Sequence, residues 1–289
     1  MLTIFTPTYN RKHTLPKLYE SLKSQTNKNF TWLIVDDGST DDTASLVEQW
    51  KNEKLVDIEY IAQENAGKMQ AHNTGVLNTK TEFFVCVDSD DYIANNAVEV
   101  LLNKIKQIED DAEICGIVAY KGKPDGSVVK KEFPKGVTRS TLSDLYRAGF
   151  KGDATLVYKT EILREFLFPK IEGEKFITEN YVYCQIDEKY KLFVLPEIII
   201  ICEYLDDGYS KNIYKVFYKN PKGLALYYNL KVELAKSLGE RLKFMAGYIC
   251  YSKIAKAKNK FKNSNGKFCY ILGYPLGLFL YLKRKKYSK

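Results

Sequence analysis

Residues 31–50 read TWLIVDDGSTDDTASLVEQW, and the fold turns on this stretch. Trp32 to Val35 is a short apolar run with β-branched members and no polar interruption, as a strand covered on both faces requires. Asp36-Asp37-Gly38 stops it. Ser39-Thr40-Asp41-Asp42 then supply helix-capping side chains, and Ala44, Leu46, Val47 and Trp50 follow at helical spacing. A buried strand that passes through an acidic turn into a helix is the repeating unit of a parallel sheet, whose successive strands need a helical crossover.

The alternation continues on both sides. Strand-like runs occupy 2–6, 57–61, 82–87 and 113–120. Leu15, Leu18 and Leu22 mark a helix, and further helical patterns cover 69–77 and 97–108. After Tyr120 the pattern changes. Pro124-Asp125-Gly126 predicts a hairpin turn between arms at 117–121 and 127–130. A short helix is expected at 141–148, a strand at 154–158 and a helix at 178–190. Strands are expected at 192–195 and 198–204. From Asn212 the chain reads as helical, broken at Asn220-Pro221. The predicted class is α/β, a Rossmann-like, mostly parallel sheet flanked by helices. A division near 210 separates it from a helical extension at 211–289.

Charge divides the chain the same way. The net charge is +8, yet residues 241–289 hold thirteen Lys and Arg and no Asp or Glu, which leaves the rest net acidic. Within that tail, 268–282 reads FCYILGYPLGLFLYL, uncharged and bordered by lysines before it and Lys283-Arg284-Lys285-Lys286 after it. Pro275, Gly273 and Gly277 interrupt it, and it falls short of the roughly 18–20 residues that span a bilayer. Tyr270, Tyr274, Phe279 and Tyr281 suit a headgroup boundary, so the expectation is a segment lying in the plane of an anionic membrane surface. Packing against the protein's own core is the alternative. Nucleic acid is not an expected partner, because the acidic strand ends would repel phosphates and no recognised nucleic-acid module is present.

The six cysteines form no CxxC pair, and the two histidines, His13 and His72, cannot build a zinc site. His13 is expected to flank the first helix. Reduced thiols in a cytosol and no secretory leader are expected, since the N-terminus enters a strand pattern at once.

Ligands of an open parallel sheet bind at the carboxyl ends of its strands. Here those ends are Thr6-Pro7-Thr8-Tyr9-Asn10, Asp36-Asp37-Gly38-Ser39 and Asp88-Ser89-Asp90-Asp91, which implies one shared acidic crevice. If the extended form persists, alternation places Asp88 and Asp90 on one side. Hard divalent cations favour such oxygen donors. Asn65-Ala66-Gly67-Lys68 precedes a helix, where Gly67 permits close backbone approach and Lys68 is either a cation for an anionic ligand or a solvated surface lysine.

TPTYN, VDDGSTDDT, ENAGKMQAHNTG and VDSDD, in this order and spacing, resemble the family 2 glycosyltransferases of GT-A fold, clearly over 1–120 and more loosely over 150–205. The resemblance implies an inverting, metal-dependent transfer from a nucleotide-diphosphate sugar. Asp90 and Asp88 would hold Mn²⁺ or Mg²⁺. Pro7, Tyr9 and Asp37, with Asp36 as alternative, would form the nucleobase pocket, and Asp37 would favour a UDP or dTDP donor. Asn65, Lys68, His72 and Asp88 complete the donor site. His72 departs from the Arg common in the family, and a buried neutral imidazole is its other reading. Asp91 has helix capping as its alternative. The general base falls near Glu179, with Glu174 and Asp187 in reserve, because Asn180 stands where the family often has Asp. Asp153 is expected to line the acceptor side, and Asp206-Asp207-Gly208-Tyr209-Ser210 to close over the donor. The implied acceptor is a polyprenol-linked saccharide at the inner membrane face, in bacterial surface-polysaccharide synthesis. A homo-oligomer is compatible with this reading. A nucleotidyltransferase and a catalytically silent binding subunit are the rivals.

Overall fold

The computed structural model describes residues 1–202 and 209–288, which form two compact units. The first comprises Met1–Leu167 and the chain from Val182 through the last strand. The second joins Phe168–Tyr181 to the helices from residue 209 onward. The sequence placed the single division near 210, whereas the segment at 168–181 belongs with the C-terminal helices. The reason is local: Glu174 accepts backbone N–H bonds from Lys222 (2.8 Å) and Gly223 (2.9 Å), and Asn220 Oδ1 accepts from Lys175 N.

The strands of the first unit are β1 (Leu2–Thr8), β2 (Phe30–Asp36), β3 (Ile58–Ala62), β4 (Phe83–Cys86), β5 (Asp91–Ile93), β6 (Ile114–Gly122), β7 (Arg139–Ser140), β8 (Ala154–Lys159) and β9 (Lys191–Cys202). Among the described residues they form one sheet in the order β3-β2-β1-β4-β8-β6-β9-β5, with β7 also on β9. β1 pairs in parallel with β2 and β4, β2 with β3, and β6 with β9. β8 runs antiparallel between β4 and β6. The ends of β1, β2, β4, β6 and β9 and the start of β8 therefore share one edge.

The helices α1 (Leu15–Lys23), α2 (Thr43–Glu53), α3 (Lys68–Asn78) and α4 (Ala97–Ile105) make the crossovers. The aromatic rings of Tyr19, Trp32 and Trp50 stack in this core, with Tyr19 and Trp50 centroids 4.4 Å apart. α3 lies close on β1 because residue 75 is glycine: a Cβ there would meet the Phe5 ring at 2.5 Å. α5 (Leu142–Arg147), α6 (Thr160–Glu165) and α7 (Asn180–Ile186) follow.

Several expectations shift. The turn at Pro124-Asp125-Gly126 forms, but its second arm makes only the isolated bridge Gly122–Val128 rather than a strand. The two expected strands around Pro196 are one. The register between β6 and β9 slips after Leu195, so Pro196 and Glu197 bulge out, exposed, where no ladder bond is required.

The second unit contains α8 (Tyr209–Lys219), α9 (Pro221–Glu233), α10 (Leu238–Ile254) and α11 (Lys267–Arg284), closed by a 3₁₀ turn at Lys285–Ser288. α11 runs through Pro275 as one helix. Its inner face presents Cys269, Tyr270, Gly273 and Gly277 to α10, and a Cβ on Gly277 would meet Ile249 at 2.6 Å. Its outer face leaves Phe268, Ile271, Leu272, Phe279 and Leu282 at least half exposed. No helix among the described residues is long and apolar enough to cross a membrane.

Candidate active site

The crevice edge is built from two interlocked loops. Asn10, in the left-handed region at φ 53°, receives Thr40 N on its side-chain oxygen (2.7 Å), and its own N–H donates to Ser39 Oγ (2.8 Å). Asp41 caps the start of α2 by accepting from Thr43 N (3.1 Å) and also accepts from Lys12 N. The capping role expected of the 39–42 segment is thus Asp41's. Pro7 is buried within β1 opposite Val35, while Tyr9, just past the strand, is 49% exposed at the loop surface.

Asp36 and Asp37 are both buried. Asp36 accepts from Ser39 N (2.7 Å) and from the Tyr60 hydroxyl (2.7 Å). Burial, reinforced by that carboxylate, raises the Tyr60 phenol and keeps it a donor. Asp37 reaches across to the loop after β3. It accepts from Gln63 Nε2 (2.7 Å), Ala66 N (2.8 Å) and Gly67 N (2.8 Å). Gly38, at φ 81°, lets this loop approach: a Cβ there would press on Asn65 N at 3.1 Å. Asp37 therefore fixes the backbone carrying Asn65 and delivering Lys68 to the first position of α3.

From there Lys68 Nζ reaches Asp88 Oδ1 at 2.6 Å. The extended form does not persist beyond Val87. Asp91 N bonds back to Asp88 O (3.0 Å), so Asp88-Ser89-Asp90-Asp91 is a turn, and its three carboxylates part company. Asp91 is not a helix cap. It opens β5 opposite Cys202 and pairs with Lys121 Nζ at 2.9 Å, side chains 7% and 15% exposed. Asp90, half-buried, has no hydrogen bond or ion pair among the described residues.

These neighbours set the charges. Burial works against ionised Asp88, but the ammonium groups of Lys68 and Lys121 outweigh it and lower the carboxyl to about 2. Burial dominates at Asp91 and, with Lys121 opposing and Asp88 adding, raises it to about 6. Burial would lower Lys121, yet Asp91 and Asp88 prevail and raise it.

Against this geometry, residues 3–167 match the family model "Glycosyl transferase family 2", more than half of the chain. The chain belongs to the family 2 glycosyltransferases. It is 38% identical over 119 residues to glycosyltransferase GlyA of Streptococcus pneumoniae serotype 4, covering 41% of this chain and 17% of that protein. It is 26% identical over 225 residues to the GalNAc(5)-diNAcBac-PP-undecaprenol beta-1,3-glucosyltransferase of Campylobacter jejuni, covering 75% of this chain and 70% of the relative. The chain thus spans less than a fifth of GlyA's length. The crystal structure of Staphylococcus aureus TarS 1–349 superposes with a TM-score of 0.64 at 19% identity, over 98% of this chain and 80% of that one. That likeness concerns the fold. The family membership sets aside the nucleotidyltransferase alternative.

For this family 2 chain, the remaining sequence-derived positions divide. His72 is in the core, 7% exposed and edge-on to Phe5 and Phe84, the surroundings of its buried reading rather than of a phosphate donor. Glu174, one reserve base, is committed to the start of α9. Asp187, the other, accepts from Leu142 N (3.1 Å) and Ser143 N (2.8 Å) at the start of α5. Glu179, half-buried just before α7, belongs to the second unit, unlike the strand-end acids. Asp153 lies just before the start of β8, on the crevice edge. Of the loop expected over the donor, 206–208 lie outside the described residues. Lys121 escaped the sequence reading. Its signal is a lone charge near the end of the apolar run Ile114–Gly122.

The donors present fit a hard divalent cation in kind. Asp90 offers a carboxylate without a hydrogen bond or ion pair among the described residues, and Asp88 a second that is paired with Lys68. Mg²⁺ and Mn²⁺ take one or two carboxylates and complete their shell with water and phosphate oxygens. No group of three His, Cys, Asp or Glu gathers among the described residues, so such a cation would depend on the nucleotide for further ligands.

Proposed function

We propose that this chain is an inverting glycosyltransferase that moves a sugar from a UDP-linked donor to a polyprenol-linked saccharide during cell-surface polysaccharide synthesis. The observation that carries this reading is the convergence of three strand ends on one edge. There Asp37 anchors the loop of Asn65 and Lys68, and Lys68 meets Asp88 beside an available Asp90. Tyr9 presents an exposed ring suited to a nucleobase. Lys68 and the N–H groups at the start of α3 face anionic phosphates favourably. Asp90 and Asp88 would hold Mn²⁺ or Mg²⁺, which when bound neutralises the departing diphosphate. Glu179 is assigned as the base that takes the acceptor hydroxyl proton. The acceptor class is supported by the Campylobacter relative, whose name specifies an undecaprenol-linked substrate.

Attachment to the inner membrane face is assigned to α11. Its outward apolar stripe lies between Lys267 and the cluster at 283–286, a pattern that gains from anionic lipid. The test of the catalytic reading is a panel of sugar nucleotides, with and without Mn²⁺, read by thermal shift and by nucleotide release. UDP-sugars should stabilise the protein in a Mn²⁺-dependent manner, and D90A should abolish release while leaving the circular dichroism unchanged. Full release by D90A would refute the assignment.

A further inference from the structure

The chain between β6 and β8 leaves and re-enters the sheet on the crevice edge, and it carries a charged feature of its own. A cavity of about 440 Å³ is lined there by Lys130, Lys131 and Lys135, with Phe133 and Gly149 among its other walls. That volume is in the range of small-molecule sites. A fourth lysine is held beside it, since Lys131 N donates to Lys151 O (3.0 Å). All four side chains are exposed, and none makes a hydrogen bond or ion pair among the described residues. Lys12, Lys80 and Lys121, elsewhere in the sheet unit, each meet a carboxylate within 2.9 Å. Glu132 is the one carboxylate among the lining residues. Cations gathered on a concave wall without counter-charges repel one another and focus their field on whatever anion enters.

The backbone that presents these lysines is fixed. Phe133 is buried, its ring centroid 4.3 Å from that of Tyr120 and 4.6 Å from that of Phe150, and its N–H donates to the Tyr120 hydroxyl (2.9 Å). Val129 N donates to Lys121 O (3.0 Å), which ties the loop to the end of β6. Lys131 Nζ lies over the bare backbone of Gly149, where a Cβ would come within 3.2 Å of it.

We infer that this cavity binds the phosphate of the acceptor, the anionic link between saccharide and polyprenol. The inference rests on the acceptor class proposed above. A lysine ammonium is a compact point charge on a flexible stem, suited to phosphate oxygens. A phosphate held here keeps the attached saccharide on the crevice side of the sheet.

The test uses the full chain without added metal, with farnesyl diphosphate as the probe and farnesol as the control that lacks the charge. Binding is measured calorimetrically. K130Q/K131Q/K135Q should bind farnesyl diphosphate about tenfold more weakly than the parent, as three exposed charge contacts of ordinary size would give. K130R/K131R/K135R should bind as the parent does, which separates charge from loop damage. K68M, altered in the donor crevice, should also retain the probe. Binding lost in K68M and kept in the glutamine variant would place the diphosphate in the donor crevice and overturn the inference. Farnesol binding as tightly as the diphosphate would overturn it too. Flotation with phosphatidylglycerol vesicles tests a lipid headgroup as the source of phosphate. The glutamine variant should float like the parent, and a loss parallel to that of the probe would assign the cavity to the membrane instead. UDP affinity, read in the same proteins, should not change with the glutamines. A parent that binds UDP but not farnesyl diphosphate overturns the role of the cavity and leaves the glycosyl-transfer reading in place; one that binds neither removes both.

Discussion

Replacing Lys121 by Met removes a charge and retains most of the side-chain volume, so the cost falls on what Lys121 leaves behind. Asp91 is 7% exposed and pairs with the Lys121 ammonium at 2.9 Å. Deleting one member of a buried pair typically costs about 3–5 kcal/mol, because the other charge stays buried and uncompensated. Asp91 can escape part of that by taking a proton, which burial already favours at about 6 with Lys121 present. Without Lys121 the value rises further. A carboxyl whose folded pKa exceeds the unfolded one gives stability that is full at low pH and is lost as pH rises through the folded value. The K121M penalty should therefore be about 3 kcal/mol at pH 8 and clearly smaller near pH 5. The protein's two tryptophans, Trp32 and Trp50, both lie in the core of the sheet unit, so urea unfolding followed by their fluorescence reports on that unit alone. K68M, at the solvent-touching pair, should cost at most about 1 kcal/mol in the same assay. A K121M cost no larger than that of K68M, or one that grows as pH falls, would refute the distinction between a buried and a solvent-touching pair.

Three further outcomes follow from contacts described above. D37A removes the acceptor for Ala66 N and Gly67 N, so it should destabilise the sheet unit by about 1–3 kcal/mol and weaken UDP binding. Unchanged UDP affinity would show that this loop does not serve the nucleotide. F279E on the outer face of α11, where Phe279 is 60% exposed, should leave folding intact and reduce flotation with anionic vesicles; undiminished flotation would count against the membrane surface. E179Q should lower turnover about 10²–10⁴-fold with donor affinity preserved, and full turnover would move the base elsewhere.

Most of the first half of the fold was legible because its signals are local. Each of β1 to β4 is a short apolar run, each of α1 to α3 repeats at 3.6, and the residue types between them name the turns. The same locality explains the misses. Nothing in residues 154–159 announces that β8 enters antiparallel between β4 and β6, since strand order depends on partners far along the chain. Pro196 reads as a break until the register slip on β6 shows that the ladder asks nothing of it. Glu174 and Asp187 read as spare carboxylates because the helix starts they cap are distant in sequence.

The site follows the same division, and it shows why an acidic motif underdetermines chemistry. Asp88, Asp90 and Asp91 are near neighbours in sequence and look interchangeable there. Folding gives each different surroundings: a lysine at a solvent-touching pair, no hydrogen bond or ion pair among the described residues, and a buried lysine. The partners come from α3 and β6, elements separated from the motif by ten residues or more on either side. The sharp distinction is burial. A carboxylate closed in with its lysine is costly to separate from it, whereas a pair that still touches water adds little net stability. Burial thus separates Asp91, held in the fold by Lys121, from Asp88 and Asp90, whose side chains are less enclosed.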